Sequence, residues 1–525
     1  MKKIKILFFI VSLSVLQLSC DIDTIDFEPQ GAISSEVVFT DPAFAETYLN
    51  AVYDRVPNGW FAPGGNWYML TSASDDAENS YTWPASNTMF NTANISSNNS
   101  PYNDLWINAY FEIRKLNNFI INYEQLEGAD PVVNRLKGEA HYLRGYFYSL
   151  LLKTFGGVPL ILVPQELTDN LLVSRNTKEE TLDAIVSEFD AAAGFFENAE
   201  SASSTRGSWD AAMAMKGRVL LYEGEYAQSA IASRQVLDNT SRYLGGNYQS
   251  IFVTDGVSEV IFDTQYSDPD KTHWGNLFNT PKASGAVSGW GGTAPTQNIV
   301  DQYEMQATGL LPSEAGSGYD FNNPYAGRDP RLDASVLYDG SVWKGLTWKF
   351  RPGGFAGIAT SGDYTRTGYG LKKMIQEDRN HNVPSTQHWI HLRLAEVYLN
   401  YAEALIESGN NLGTAVNAIN TVRTRSNMPP ITVTGQSELR TKVRRERRIE
   451  LAFEEHRFWD IRRWGIAGNP EVLTIYRVDM DTSGNLVGTG SDIWETRFWN
   501  NSNFLFPIPQ SEMDKNSNLI QNPGY

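Results

Sequence analysis

The chain has 525 residues, a formal net charge of −18, 12% aromatic residues and a single cysteine. That acidity excludes nucleic acid as a natural ligand and disfavours other anionic polymers, because binding phosphate demands a basic face. A lone cysteine excludes any intramolecular disulfide, so stability has to come from a large core, which this length supplies.

The chain begins with Met1-Lys2-Lys3-Ile4-Lys5 and an apolar run from Ile6 to Val15. Lysines followed by a short greasy segment form a signal peptide, too short to span a bilayer as a mature helix. The segment Leu16-Gln17-Leu18-Ser19-Cys20 resembles the bacterial lipobox. The resemblance implies that residues 1–19 are removed and that the Cys20 thiol takes a diacylglycerol. The new amine then takes a fatty acyl chain such as palmitate. Several acyl chains, at ~0.8 kcal/mol per buried CH₂, give stable attachment. Asp21, Asp23 and Asp26 lie in an acidic tether, residues 20–31, similar to the export tag of surface-exposed lipoproteins in some Gram-negative outer membranes. No later segment offers the ~20 unbroken apolar residues of a membrane span.

Helical periodicity runs from Asn103 to Glu127 and more strongly from Arg135 to Phe155. In the second stretch Leu136, Ala140, Leu143, Phe147, Leu150 and Leu151 recur at three- and four-residue steps. Gly156-Gly157 and Pro159 stop that helix. Thr177 to Glu197 is predicted as a helix opened by a capping box of Thr177 and Glu180. Residues 210–237 and 391–426 each read as helix, glycine break, helix, with Gly224 and Gly409 at the breaks. Leu394, Val397, Tyr398, Tyr401, Ala402 and Leu405 form one apolar stripe. Such pairs are the unit of tetratricopeptide-like arrays, in which each pair exposes a face that only its neighbour covers. The expected fold is therefore mainly α: tetratricopeptide-like helix pairs scaffolding long loops and small β elements. The loops are residues 56–102 and about 240–390, rich in Gly, Asn, Ser, Pro and aromatics, with a strand predicted over Val257–Asp263. Long loops on a rigid scaffold are where binding residues concentrate.

The charged run from Arg444 to Trp464 reads as a buttressing helix with a partly buried charge network. Arg444, Arg447, Arg448 and Leu451 share one side, and Glu446, Glu450 and Glu454 line another. Its predicted ion pairs contribute ~0.2–0.5 kcal/mol each. On a helix His388 and His391 would both face one ion, but no carboxylate joins them in the pattern, so packing is the preferred reading. Asp479 to Gly484 mimics the start of a calcium loop, yet Gly490 stands where a glutamate is needed, which favours a hairpin turn. No metal or cofactor is expected.

Four segments together resemble the SusD/RagB family of outer-membrane glycan-capture lipoproteins. They are His141 to Tyr148 with Phe155-Gly156-Gly157-Val158-Pro159-Leu160; Arg328-Asp329-Pro330-Arg331-Leu332; Arg444 to Trp464; and Phe506-Pro507-Ile508-Pro509-Gln510 with Gln521-Asn522-Pro523-Gly524-Tyr525. The family usually carries glycine where this chain has Glu455. The resemblance implies four tetratricopeptide-like units in one SusD-like domain over residues 32–525. Its helical scaffold would occupy about 32–240 and 390–525, and its ligand lobe about 240–390 plus 56–102. It also implies a SusC-like TonB-dependent transporter as partner, and capture of a glycan without cleavage.

A sugar offers an apolar C–H face to an indole or phenol and a hydroxyl rim to Asp, Asn, Gln or Arg. The candidates for such contacts are Trp83 and Trp290, with Asp75, Asp76, Asn79 and Tyr81 in one polar loop, and Trp274, Arg366 and Tyr369 beside glycine-rich runs. The rival expectations are a lipoprotein of the same fold that takes peptides or another non-sugar nutrient, and an exported glycoside hydrolase. The latter requires two carboxylates ~5–9.5 Å apart across a cleft, and the sequence singles out no such pair.

Overall fold

The computed structural model describes residues 38–63, 68–81, 91–92, 94–285, 287–359 and 362–525. The predicted signal peptide, Cys20 and the acidic tether lie outside these residues. Among the described residues no helix is long and apolar enough to cross a membrane.

The scaffold is a run of helices: α1 (Pro42–Tyr53), α2 (Asn103–Asn122), α3 (Asp130–Phe155), α4 (Lys178–Phe196), α5 (Trp209–Tyr222) and α6 (Tyr226–Asn239). It resumes with α7 (Leu394–Glu407), α8 (Leu412–Arg425), α9 (Gln436–Glu450) and α10 (His456–Arg463). From α2 to α8 each helix packs on the next, and α6 meets α7 across the intervening lobe. Local chemistry sets the ends. Gly156 stops α3 at φ 78°, and the Thr177–Glu180 capping box opens α4 with both reciprocal bonds present. Gly224, at φ 86°, turns α5 into α6. Helices α3 and α4 approach closely because Gly138 leaves room for the Phe196 ring, which a Cβ there would meet at 2.7 Å. In α7 the predicted stripe is buried at Leu394, Val397, Tyr401, Ala402 and Leu405. Each large apolar side chain of this kind contributes ~1.5–3 kcal/mol.

The lobe between α6 and α7 is less open than its composition suggests. Trp343, Trp348, Phe350, Tyr303 and Tyr369 are fully buried in a second core shared with Ile449 and Phe453. Its strands are short. Strand β1 (Val260–Thr264) pairs antiparallel with β2 (Trp389–Arg393). The helix predicted to start at 391 therefore starts at Leu394, and residues 389–393 are drawn into a sheet by a partner distant in sequence. Strands β3 (Thr474–Met480) and β4 (Leu486–Thr496) form a hairpin whose turn is closed by Asp481, which accepts from the Ser483 and Asn485 backbone at 2.8 and 3.0 Å.

The charged run carries the expected network further than its sequence reading did: it breaks into α9 and α10, and Glu446, Glu450 and Glu454 are buried rather than partly exposed. Arg393 donates to Glu259, Glu450 and Glu454 at 2.8, 2.6 and 2.6 Å. Arg331 donates to Asp329, Glu446 and Glu450 at 2.7, 2.6 and 2.8 Å. Arg423 joins Glu446 to Glu304 at 2.9 and 2.8 Å, Arg425 bridges Glu259 and Glu450, and Lys373 reaches Glu454 at 2.7 Å. Burial alone would raise the Glu450 pKa, but Arg425, Arg393 and Arg331 hold it well below the ordinary range. The Arg328–Leu332 and Arg444–Trp464 segments are thus two halves of one lattice. The C-terminal segment closes the opposite end: Asn522 donates to the carbonyls of Phe155 and Phe506 at 3.0 and 2.7 Å.

Removing one partner from a buried pair costs ~3–5 kcal/mol. Glu450→Gln leaves Arg331, Arg393 and Arg425 short of charge and is expected to lower unfolding free energy by about that amount, read by urea denaturation. Surface Glu512→Gln, in a pair exposed on its lysine side, is expected to change it by under ~0.5 kcal/mol.

Candidate functional site

The 70s loop reaches its position through Asp75. Arg457 donates to it from Nε and Nη2, each at 2.8 Å, and Arg448 from Nη2 at 2.8 Å. Burial works to raise the Asp75 pKa, and the charges of Arg448 and Arg457 overcome it and hold it at about 2. Asp76 accepts from Arg448 Nε at 2.7 Å. Both aspartates therefore point into the protein and moor the loop to α9 and α10. Residues 77–78 then pair with 294–295. Asn79 is also buried; its side-chain oxygen accepts the Tyr81 backbone N–H at 2.9 Å and bends the chain.

Here the loops converge. The Tyr81 hydroxyl donates to the Phe278 carbonyl at 2.9 Å. The Trp290 ring stands 6.3 Å from that of Tyr81 and 5.0 Å from that of Phe278, edge-on and tilted respectively. Backbone bonds from Trp290, Gly291 and Gly292 to Leu277, Thr280 and Phe278, at 2.7–2.9 Å, lay this segment against the short helix Gly275–Asn279. Gly289 permits the contact, since a Cβ there would sit 2.3 Å from the Thr280 carbonyl. Gly291, at φ 64°, packs against the Asp363 carbonyl and the Lys282 nitrogen. Arg366 is buried and donates to the carbonyls of Ser80, Ala359 and Gly362 at 3.1, 2.7 and 2.6 Å, which pins the 359–366 loop beside Tyr81. Trp290 is half-buried in this setting.

Of the residues singled out by sequence, Tyr81, Trp290 and Arg366 come together. Asp75, Asp76 and Asn79 support them from beneath, with their polar atoms turned inward. Trp274 lies one turn from Phe278 on the short helix and is 40% exposed. Trp83 lies outside the described residues. Tyr369 belongs elsewhere: its hydroxyl donates to Gln297 at 2.5 Å and accepts from Tyr325 at 3.3 Å. It lies at a cleft of about 220 Å³ also lined by Asp301, Tyr319, Arg328 and Thr489. Sequence reasoning missed Phe278, Lys282 and Asp363, which carry no motif; only their closeness to the Trp290 segment marks them.

The histidine pair lies at β2 and not on a helix: His388 immediately precedes the strand, His391 lies within it, and their rings meet different partners. His388 Nδ1 lies 2.6 Å from Asp263 and Nε2 2.8 Å from the Ile251 carbonyl. His391 instead meets Thr264 at 2.9 Å, and burial pulls its pKa down to about 3.

The family model described as SusD family matches residues 258–525. The chain belongs to the SusD family. A second model, described as starch-binding and associating with outer membrane, matches residues 34–221. A SusD-like protein of solved structure from Bacteroides fragilis superposes at a TM-score of 0.81 with 29% identity, over 94% of this chain and 99% of that one. A SusD-like carbohydrate binding protein from the same organism gives 0.80 and 27%, over 92% and 100%. SusD-like protein P2 of Formosa agariphila is 23% identical over the full length of both chains. The Bacteroides fragilis superpositions span the helical scaffold and the loop lobe together, so the convergence around Trp290 sits within a SusD-like frame.

The mooring makes a pH-dependent prediction. Asp75 titrates lower when folded, so its stabilisation is present above the unfolded carboxylate value of ~3.9 and is lost as pH falls through about 2. Asp75→Asn is expected to lower stability by about 3 kcal/mol at neutral pH. The deficit relative to the parent should shrink between about pH 4 and pH 2 in denaturation series.

Proposed function

We propose that this protein is a lipid-anchored outer-membrane lipoprotein that captures a glycan and passes it, uncut, to a SusC-like TonB-dependent transporter. In this reading residues 1–19 are the signal, Cys20 carries the lipid, residues 20–31 form the tether and residues 32–525 form one capture domain. The observation that carries the proposal is the half-buried indole of Trp290, set between Tyr81 and Phe278 where several loops meet. An indole face takes the C–H face of a sugar, and Lys282 and Asp363 from the adjoining loops supply a polar rim. Trp83, two residues after Tyr81 in the sequence, stays a candidate sugar contact. The carbohydrate-binding description of one Bacteroides fragilis relative supports a sugar as ligand. So does the acidic net charge, which favours a neutral polymer over an anionic one.

Titration of the purified protein with a panel of neutral polysaccharides is expected to find one that binds, and Trp290→Ala to weaken it at least tenfold, with no new reducing ends released. Absence of binding by any member would sink the glycan reading, and release of reducing ends would sink the non-catalytic one.

For the transporter, we assign the face formed by α2 and the strap after α3. Ile107 and Phe111 are exposed one turn apart on α2, and Val163 and Leu167 on the strap are 61% and 94% exposed. The strap is held to α2 by Arg114 and Asn117, which donate to the carbonyls of Gln165 and Ile161 at 3.1 and 2.8 Å. An apolar patch of this kind marks an interaction surface. Phe111→Asp with Leu167→Asp is expected to cut co-purification with the transporter at least tenfold while glycan affinity stays unchanged. Equal recovery would remove this face from the interface.

A further inference from the structure

A cavity of about 300 Å³ lies between the N-terminal helices and the turn joining α9 to α10. It shares no lining residue with the Trp290 platform or the Tyr369 cleft. Leu70, Leu105, Met215 and Val219 form apolar walls; of the charged residues that also line it, Arg55 and Asp104 are exposed, and Lys153, Arg218, Glu223, Glu454 and Glu455 are less so. Two opposite charges stand out among the less exposed.

The first charge is Lys153, in the last turn of α3. Its ammonium rests 4.4 Å above the Trp459 ring and has no carboxylate within 4.0 Å among the described residues. The second is Glu455. Its backbone sits at φ 66° and ψ −1°, the left-handed region that favours glycine. A side chain at this position is strained, and here it delivers a carboxylate to the cavity. That carboxylate has no cation within 4.0 Å among the described residues.

Three of the other lining charges are already committed: Arg218 is bound to Glu396, Glu223 to Lys178, and Glu454 to Arg393 and Lys373; Arg55 and Asp104 sit at exposed positions in water. Burial pulls Lys153 down to about 8, Arg218 acting in the same direction and Glu455 opposing. Burial pushes Glu455 up to about 7, with Lys153 opposing. Lys153 and Glu455 therefore feel each other across the cavity without touching. Both side chains are half-buried, and a charge withdrawn from water in this way gains when an opposite charge pairs with it.

We infer that the cavity binds a small zwitterion of α-amino-acid size with an apolar side chain. The ligand carboxylate would meet Lys153, its ammonium Glu455, and its side chain the walls at Leu70, Leu105, Met215 and Val219. The inference does not rest on the glycan reading, since the two sites have separate residues.

The test is calorimetric titration of the full chain in detergent, at about pH 7.5, with L-leucine, L-methionine and L-phenylalanine. L-Leucinamide, which lacks the carboxylate, and 4-methylpentanoate, which lacks the ammonium, are the controls. Saturable binding of at least one amino acid is expected, with the two controls at least tenfold weaker than L-leucine. Lys153→Met and Glu455→Gly are each expected to weaken binding at least tenfold and to leave glycan affinity unchanged. Glycine suits the backbone at 455, so that variant should melt no lower than the parent, which separates a lost contact from a lost fold. The inference is overturned if none of the three amino acids binds, if either blocked analogue binds as well as L-leucine, or if Glu455→Gly binds as tightly as the parent.

Discussion

Glu450 sits at the centre of a buried ionic lattice on which the arrangement of the whole molecule depends. Arg331 from the loop lobe, Arg393 from the end of β2 and Arg425 from the end of α8 all converge on its carboxylate. At low dielectric such bonds are directional and have no solvated alternative, so the segments that supply them have little freedom to shift. The energetic return of burying charge is small, because desolvation offsets most of the attraction. The consequence here is geometric: the helical array and the lobe inserted into it are held in one register.

The platform inherits that rigidity. Arg448 and Arg457 belong to the same run as Glu450 and reach outward to Asp75 and Asp76. The buried lattice therefore extends to the root of the loop that carries Tyr81. Beneath the lobe, Trp343, Trp348 and Phe350 supply a core of its own. A surface prepared in this way spends little conformational entropy when a ligand arrives, which suits shallow recognition by a few rings and polar groups.

The two kinds of concavity follow different physics. At the proposed platform Trp290 is half-buried, and in the proposed reading a ligand would be held there by ring contact and hydrogen bonds that compete with water. The cavity by Lys153 is deeper and partly apolar, and a half-buried charge without a partner weighs more there than in open water. Glu455 shows how one residue changes the character of such a space: a left-handed backbone suited to glycine bears a carboxylate, and an apolar hollow becomes a dipolar one.

Much of the scaffold was legible from the chain because its signals are local. The Thr177–Glu180 box, the glycine stops at 156 and 224 and the apolar stripe of α7 each act within a few residues. Other features depended on partners far away in sequence. Residues 389–393 carry a helix-compatible pattern, yet β1 draws them into a strand. Asp75, Asp76 and Asn79 have the composition of a binding rim, but arginines more than 370 positions away turn the two aspartates inward. A partly buried charge network was legible in the 444–464 run, while its partners and the depth of its burial were not, because solvent exposure is a property of what packs around a side chain. For the same reason the chain could offer Trp290 and Glu455 as an exposed-looking indole and a departure from glycine, and only the converging loops and helices made one a platform and the other a wall of a charged cavity.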